Sequence, residues 1–211
     1  MRVAPELVAP ILLFAGISAC AQPNSMFVYR LPYEDGTDVE VWQDHETHPL
    51  PYALDLAGQN DDPTYRIVAA RPGTVRFIRD QFSTNCDPDV TSCFNNFVWI
   101  QHAPGEEWTK YSHVAEGSVT SAPPDGAGLV VGSEVVAGQW IGNEGNVGMA
   151  TGENMGRHLH FEVVIPDDPE TAQPTGTVGD FPYDARIPRF CVGGDGILVK
   201  DDIHEAGPCP S

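Results

Sequence analysis

Cations are what this chain has least of. Its 211 residues carry 11 Lys and Arg against 30 Asp and Glu, a formal net charge of −19. Binding to a phosphate backbone needs clustered Lys and Arg, so nucleic acid is excluded as a partner. Anionic lipid surfaces would repel the chain, so attachment to a membrane has to rest on a lipid. The acidity itself says little about fold. Internal repeats are absent, and so is any long helical period, which leaves no basis for a solenoid or a helical bundle.

Apolar runs are also scarce, and the one that stands out is at the start, "MRVAPELVAPILLFAGISACAQP". One Arg, an apolar run and then small residues describe a secretory signal. The run around Ile11–Ala19 is too short to cross a bilayer. The stretch "ISAC" at 17–20 resembles the lipobox of bacterial lipoproteins, which implies cleavage before Cys20 and its acylation. Ordinary cleavage after Ala21 is the competing expectation. Removing residues 1–19 takes away Arg2 and Glu6 and leaves the net charge unchanged.

Cysteine is sparse and odd in number, at 20, 86, 93, 191 and 209. If Cys20 carries lipid, four remain. They fall into two local pairs, Cys86–Cys93 around "CDPDVTSC" and Cys191–Cys209 around the C-terminal tail. Such pairing suits an oxidising compartment. Four cysteines allow three connectivities, so the local scheme is one of three.

The middle of the chain is a series of short β-like runs separated by Gly, Pro, Asn and Asp. They are "RIVAA" (66–70), "GTVRFIRD" (73–80), "FVWIQHA" (97–103), "TKYSHVA" (109–115), "SEVVAG" (133–138), "QWIGNEG" (139–145) and "HLHFEVV" (158–164). Short strands at close spacing with turn signals predict an all-β sandwich or barrel-like domain. The organisation expected is a lipoprotein signal over 1–19, a lead-in over 20–41, one compact domain over 42–166 and a Pro/Gly-rich extension over 167–211. Within that extension, 183–211 reads as an appendage held by a cystine. Nothing in the sequence bears on oligomeric state.

"RHLHFEV" at 157–163 raises the functional question. Alternation along a strand puts His158, His160 and Glu162 on one face and Leu159, Phe161 and Val163 on the other. Two imidazoles on one face are either a wet surface or a metal or acid–base site. A hydrolytic zinc site wants three protein ligands and one open position. His48, seven positions before Asp55, supplies with it and one histidine of the pair such a set. His113, in "KYSHVA", adds an imidazole, with Tyr111 on the same predicted strand face.

The ordered series His48…Asp55, "AARPGTV", "NNFVWIQH", "YSHV", "GQWIGNEGNVG" and "RHLHFEV" resembles the LytM/lysostaphin-type zinc metallopeptidases from about His48 to Val164. The resemblance implies a compact antiparallel β fold whose groove carries Zn²⁺. It implies His48, Asp55 and His160 as metal ligands and His113 and His158 as catalytic histidines beside them. The substrates it implies are peptidoglycan peptides, often rich in Gly or D-amino acids, and the location is the cell envelope, periplasmic or extracellular. Three features depart from the usual pattern. The His–Asp spacing is seven rather than four, which brings His45 in as a competitor of His48. The stretch after Asp55 lacks the usual Gly-Thr-Pro turn. The loop between Cys86 and Cys93 is an insertion beside the groove. His102 matches a family position with a structural role expected at a strand end, and His204 reads as surface.

The resemblance also leaves a non-catalytic envelope module, binding peptidoglycan or activating another hydrolase, as the alternative. The D-alanyl-D-alanine carboxypeptidases share a His-x6-Asp element, but their Glu-x-x-His element is not found here.

Overall fold

The computed structural model describes residues 23–59, 64–86, 92–103, 107–151 and 156–210. The expected lipidation site, Cys20, lies outside them. Among the described residues the regular structure is all β. In chain order the strands are β1 (Asn24–Tyr29), β2 (Asp38–Gln43), β3 (Leu54–Gly58), β4 (Arg66–Val68), β5 (Gly73–Arg79) and β6 (Phe97–Gln101). They continue with β7 (Trp108–Ser112), β8 (Glu134–Val135), β9 (Trp140–Asn143), β10 (Leu159–Pro166), β11 (Tyr183–Phe190) and β12 (Ile203–Glu205).

One large sheet runs β12-β2-β3-β10-β7-β6-β5-β8, with β11 added beside β10 and β1 beside β11. All its pairs are antiparallel except β1–β11. β4 and β9 form a separate two-stranded sheet. Both sheets feed one core, in which Leu54, Leu56, Val98, Ile100, Tyr111, Leu159, Phe161 and Val163 meet Ile67 and Ile141. Burying a side chain the size of Phe161 is worth about 1.5–3 kcal/mol, so this face fixes the register of β10. A one-residue slip would turn the histidines inward.

The opposite face of the sheet explains the site. At one end it is covered by a second cluster, with Phe97, Trp99, Trp108 and Val164 packed against Ala172 and Phe181. At the other end the described residues leave it open. The cover comes from the extension, which is therefore more than the appendage expected from its composition. Trp99 Nε1 donates to Gly179 O at 3.0 Å. Arg79 donates to Asn95 O at 2.7 Å and to Gly176 O at 3.0 Å. Gly179 has φ +78°, and a Cβ there would collide with the Phe97 ring, so this crossing needs glycine. β11 then extends the sheet beside the C-terminal half of β10, and β12 pairs with β2. The lead-in is likewise built in, because the buried Glu107 carboxylate accepts from Met26 N (2.6 Å), Phe27 N (3.1 Å) and Tyr29 OH (2.8 Å).

The two cystines are Cys86–Cys93 and Cys191–Cys209, with Cα–Cα distances of 6.0 and 5.3 Å. Both are the local pairs expected.

His102, just past β6, is fully buried. Its Nδ1 is 2.9 Å from Pro72 O and its Nε2 is 2.9 Å from Thr109 Oγ1. A carbonyl can only accept, so Nδ1 carries the proton and Nε2 receives the threonine hydroxyl. Burial holds its pKa down to about 4. The unfolded chain binds this proton near pH 6.5 and the folded chain does not, so stability falls as pH drops from 6.5 toward 4. The loss over that window should reach about 3 kcal/mol. Denaturant unfolding of the metal-free chain at pH 7.5 and 4.5 should show this loss, and His102→Asn, which keeps a donor toward Pro72 O, should lack that part of it. An equal pH dependence in both proteins would contradict the assignment.

Candidate metal centre

Three elements bring the predicted ligands together on the open face. Asp55 sits on β3 between Leu54 and Leu56, whose side chains are in the core, so alternation turns its carboxylate outward. His160 is its direct register partner across β3–β10. His48 arrives from the turn after β2. Asp44 organises that turn, its Oδ1 accepting from Glu46 N (3.0 Å) and Thr47 N (2.9 Å) while its Oδ2 accepts from Lys200 N (2.9 Å). Burial opposes the charge on Asp44, but these hydrogen bonds outweigh it and lower its pKa.

One ligand atom each from His48, Asp55 and His160 lie within 4.8 Å of one another, the only such His, Cys, Asp or Glu group of three or more among the described residues. Around Asp55 Oδ1 stand His48 Nε2 at 3.5 Å, His158 Nε2 at 3.3 Å and His160 Nδ1 at 3.2 Å. Burial would raise the Asp55 pKa, yet hydrogen bonds from His158, His160 and His48 hold it far below the usual carboxylate range. Three nitrogens on one carboxylate oxygen is more than its lone pairs serve well. An arrangement of two imidazoles and a carboxylate around a common centre fits a small, borderline-soft cation such as Zn²⁺. His45, the competitor of His48, is outside this group and its Nε2 lies 3.9 Å from Glu46.

The other two predicted histidines flank the group. His158 packs against His113 with ring centroids 4.8 Å apart. Its Nδ1 is bonded to Gly156 O at 2.9 Å, and His113 Nδ1 to Val147 O at 2.8 Å. Both carbonyls fix the proton on Nδ1, which leaves Nε2 of His113 as the nitrogen available for proton exchange, while Nε2 of His158 faces Asp55 Oδ1. Burial, and then the nearby His158 and His160, push the His113 pKa well below its ordinary value. The strand-face expectation for His113 needs correction. β7 ends at Ser112, and His113 has φ +66°. That left-handed residue breaks the alternation, so Tyr111 goes to the core, accepting from Ala70 N at 2.9 Å, while His113 turns to the open face.

The loop that receives His113 is held by the cystine insertion. Cys86 N donates to Gly148 O and Gly148 N to Thr84 O, both at 2.9 Å. Gly148 has φ +92°, and a Cβ there would run into the Asn95 side chain.

Two clefts meet over the group. One, about 450 Å³, is lined by His48, Pro49, Leu50, His113, Met149 and Val178 among others. The second, about 350 Å³, is lined by Glu40, Trp42, Lys200 and Asp201, and it shares Gln43, Asp55 and Thr151 with the first. Trp42 was not anticipated as a site residue. Its ring lies 5.7 Å from that of His158, and its Nε1 is held by Glu40 at 3.2 Å. The alternating "DVEVWQ" of β2 is the signal that could have placed it. Glu162 was placed on the histidine face with no role. Its Oε1 is 2.9 Å from His160 Nε2.

Residues 51–173, more than half of the chain, match the profile of the family described as peptidase family M23. The match begins three residues after His48. Similar solved structures include a point mutant of the catalytic domain of the prophage-encoded M23 protein EnpA from Enterococcus faecalis. It is 22% identical over 62% of this chain and 83% of that one, with a TM-score of 0.41. The catalytic domain of the antimicrobial peptidase lysostaphin from Staphylococcus simulans is 19% identical over 67% and 87%, with a TM-score of 0.40. LytU is 22% identical over 77% and 85%, with a TM-score of 0.39. No curated protein matches the chain.

Proposed function

The chain belongs to peptidase family M23, and from that premise we propose that it is a zinc metalloendopeptidase cutting peptide bonds in bacterial peptidoglycan. The observation that carries this reading is the convergence of His48, Asp55 and His160 within 4.8 Å, flanked by two imidazoles whose Nδ1 atoms are committed to backbone carbonyls. His48, Asp55 and His160 would hold the zinc. When bound, the ion supplies Lewis-acid polarisation of the scissile carbonyl and lowers the pKa of water toward about 7.

The chain's own residues do the rest. His113 and His158 keep Nδ1 protonated against Val147 O and Gly156 O, so Nε2 is the atom that takes or gives a proton at the reacting peptide. As imidazolium, the same ring donates to the oxyanion that develops there. Groups of this kind contribute about 10²–10⁴-fold each to rate. Pro49, Leu50, Met149 and Val178 line one arm of the groove. A substrate with small side chains, such as a Gly-rich or D-amino-acid peptide, suits such a cleft. The two cystines support an extracytoplasmic location, and Cys20 as a lipid anchor belongs to the same proposal.

Chelation gives the test. Cleavage of an oligoglycine peptide should disappear on stripping the metal and return with about one equivalent of Zn²⁺. If the zinc-loaded chain cuts no peptide, yet enhances a separate cell-wall hydrolase, the non-catalytic module takes the place of this reading.

A further inference from the structure

His160 has two nitrogens, and a metal centre can use only one. Its Nδ1 faces Asp55 at 3.2 Å, while its Nε2 is 2.9 Å from Glu162 Oε1. With metal bound, a carboxylate on Nε2 would keep the ring proton there and leave the Nδ1 lone pair for the ion, in place of the hydrogen bond that Nδ1 makes to Asp55 in the metal-free chain. It also blocks rotation of the ring, because the reversed orientation would set a carbon against Glu162.

Glu162 is itself held at both oxygens. Oε1 receives Lys110 Nζ at 3.0 Å, and Oε2 receives Tyr183 OH at 2.6 Å. Lys110 is the register partner of Glu162 across β10–β7, and its Nζ is also bonded to Asp180. The Lys110 and Glu162 side chains are 2% and 4% exposed. Tyr183 and Asp180 come from the extension, so a segment remote in sequence reaches the ligand His160 through two steps. A buried Lys–Glu pair is a poor source of stability, since apolar residues of similar volume often do as well or better. Holding one imidazole in one orientation is a task that apolar residues cannot do.

We propose that Glu162 is a positioning residue that fixes His160 for the metal, and that Lys110, Tyr183 and Asp180 hold Glu162 in place for it. This rests on the zinc reading given above. The paired variant Lys110→Met/Glu162→Met separates the two roles. It removes the ion pair as a unit and keeps the volume, so the metal-free chain should unfold within a few degrees of wild type. Its zinc dissociation constant, measured by competition with a chromogenic chelator, should weaken about 10- to 100-fold. Glu162→Gln keeps an oxygen that can accept from Nε2 and should recover most of the affinity. Tyr183→Phe removes one hydroxyl at the rim and guards against a paired variant that does not fold. It should weaken zinc binding about threefold, on the scale of one lost hydrogen bond. A folded paired variant with wild-type zinc affinity overturns the positioning role, as does an unchanged constant in Tyr183→Phe if the pair does not fold. A wild-type chain that binds no zinc overturns the metal reading itself, and the positioning role with it.

Discussion

His160→Ala should purify without metal, whereas His158→Ala should keep about one zinc per chain and still lose cleavage. The two side chains share a face and both reach Asp55 Oδ1, at 3.2 and 3.3 Å, so proximity to Asp55 does not separate them. The third corner does. His160 forms with Asp55 and His48 a group whose ligand atoms lie within 4.8 Å of one another, and among the described residues His158 is not part of it; the His160 ring centroid is 4.8 Å from that of His48. His158 instead stacks toward His113 and Trp42. Losing one of three ligands removes most of a site whose binding energy comes from all three acting together. Losing a proton-handling neighbour leaves the ligands untouched. Metal content by plasma emission spectrometry on the two variants reads the difference, and equal loss in both would mean that the pair has been assigned the wrong way round.

His113→Ala should leave zinc content and fold intact and lower turnover by about 10²-fold or more, the scale of one acid–base or oxyanion group. His113 is outside the ligand group but its ring lies 4.8 Å from His158 and 6.0 Å from His160. Among the described residues the side chain is hydrogen-bonded through Nδ1 to Val147 O, so its removal should cost about 1 kcal/mol for the hydrogen bond beyond the cavity it leaves. Steady-state kinetics of the wild type and the variant at matched zinc loading make the comparison. A variant with wild-type turnover would remove His113 from the reaction.

The centre of this site was legible because it is written in a short period. Alternation put His158, His160 and Glu162 on one face and Leu159, Phe161 and Val163 in the core, and β10 is built that way. The strands from β4 to β10 fall on or beside their predicted runs, although β8 keeps only Glu134–Val135 of 133–138 and β7 stops at Ser112. What was missed lies at both ends of the chain. β11 reads "YDARIPRF", with charges and a proline that look like a tail. It forms because β10 offers an edge at Val163–Pro166, a long-range cause that local composition does not carry. Asp55 was singled out as a candidate ligand, but not as part of a strand, because "LDLAG" is short and bounded by turn residues. The same holds for Trp42, Asp180 and Tyr183, which reach the site only through pairing and packing. His113 shows the converse. Its strand was foreseen, but the left-handed backbone that turns it to the open face has no signature in "YSHV".

Purified peptidoglycan incubated with the zinc-loaded chain, followed by mass spectrometry of the released fragments, tests the peptidase reading most directly. New fragments ending in a free carboxyl and a free amino group at one peptide bond of the cross-link are expected, absent after chelation and formed about 10²-fold more slowly with His113→Ala. Intact cross-links after prolonged incubation with the fully zinc-loaded wild type, on substrates that include Gly-rich and directly linked walls, would contradict it.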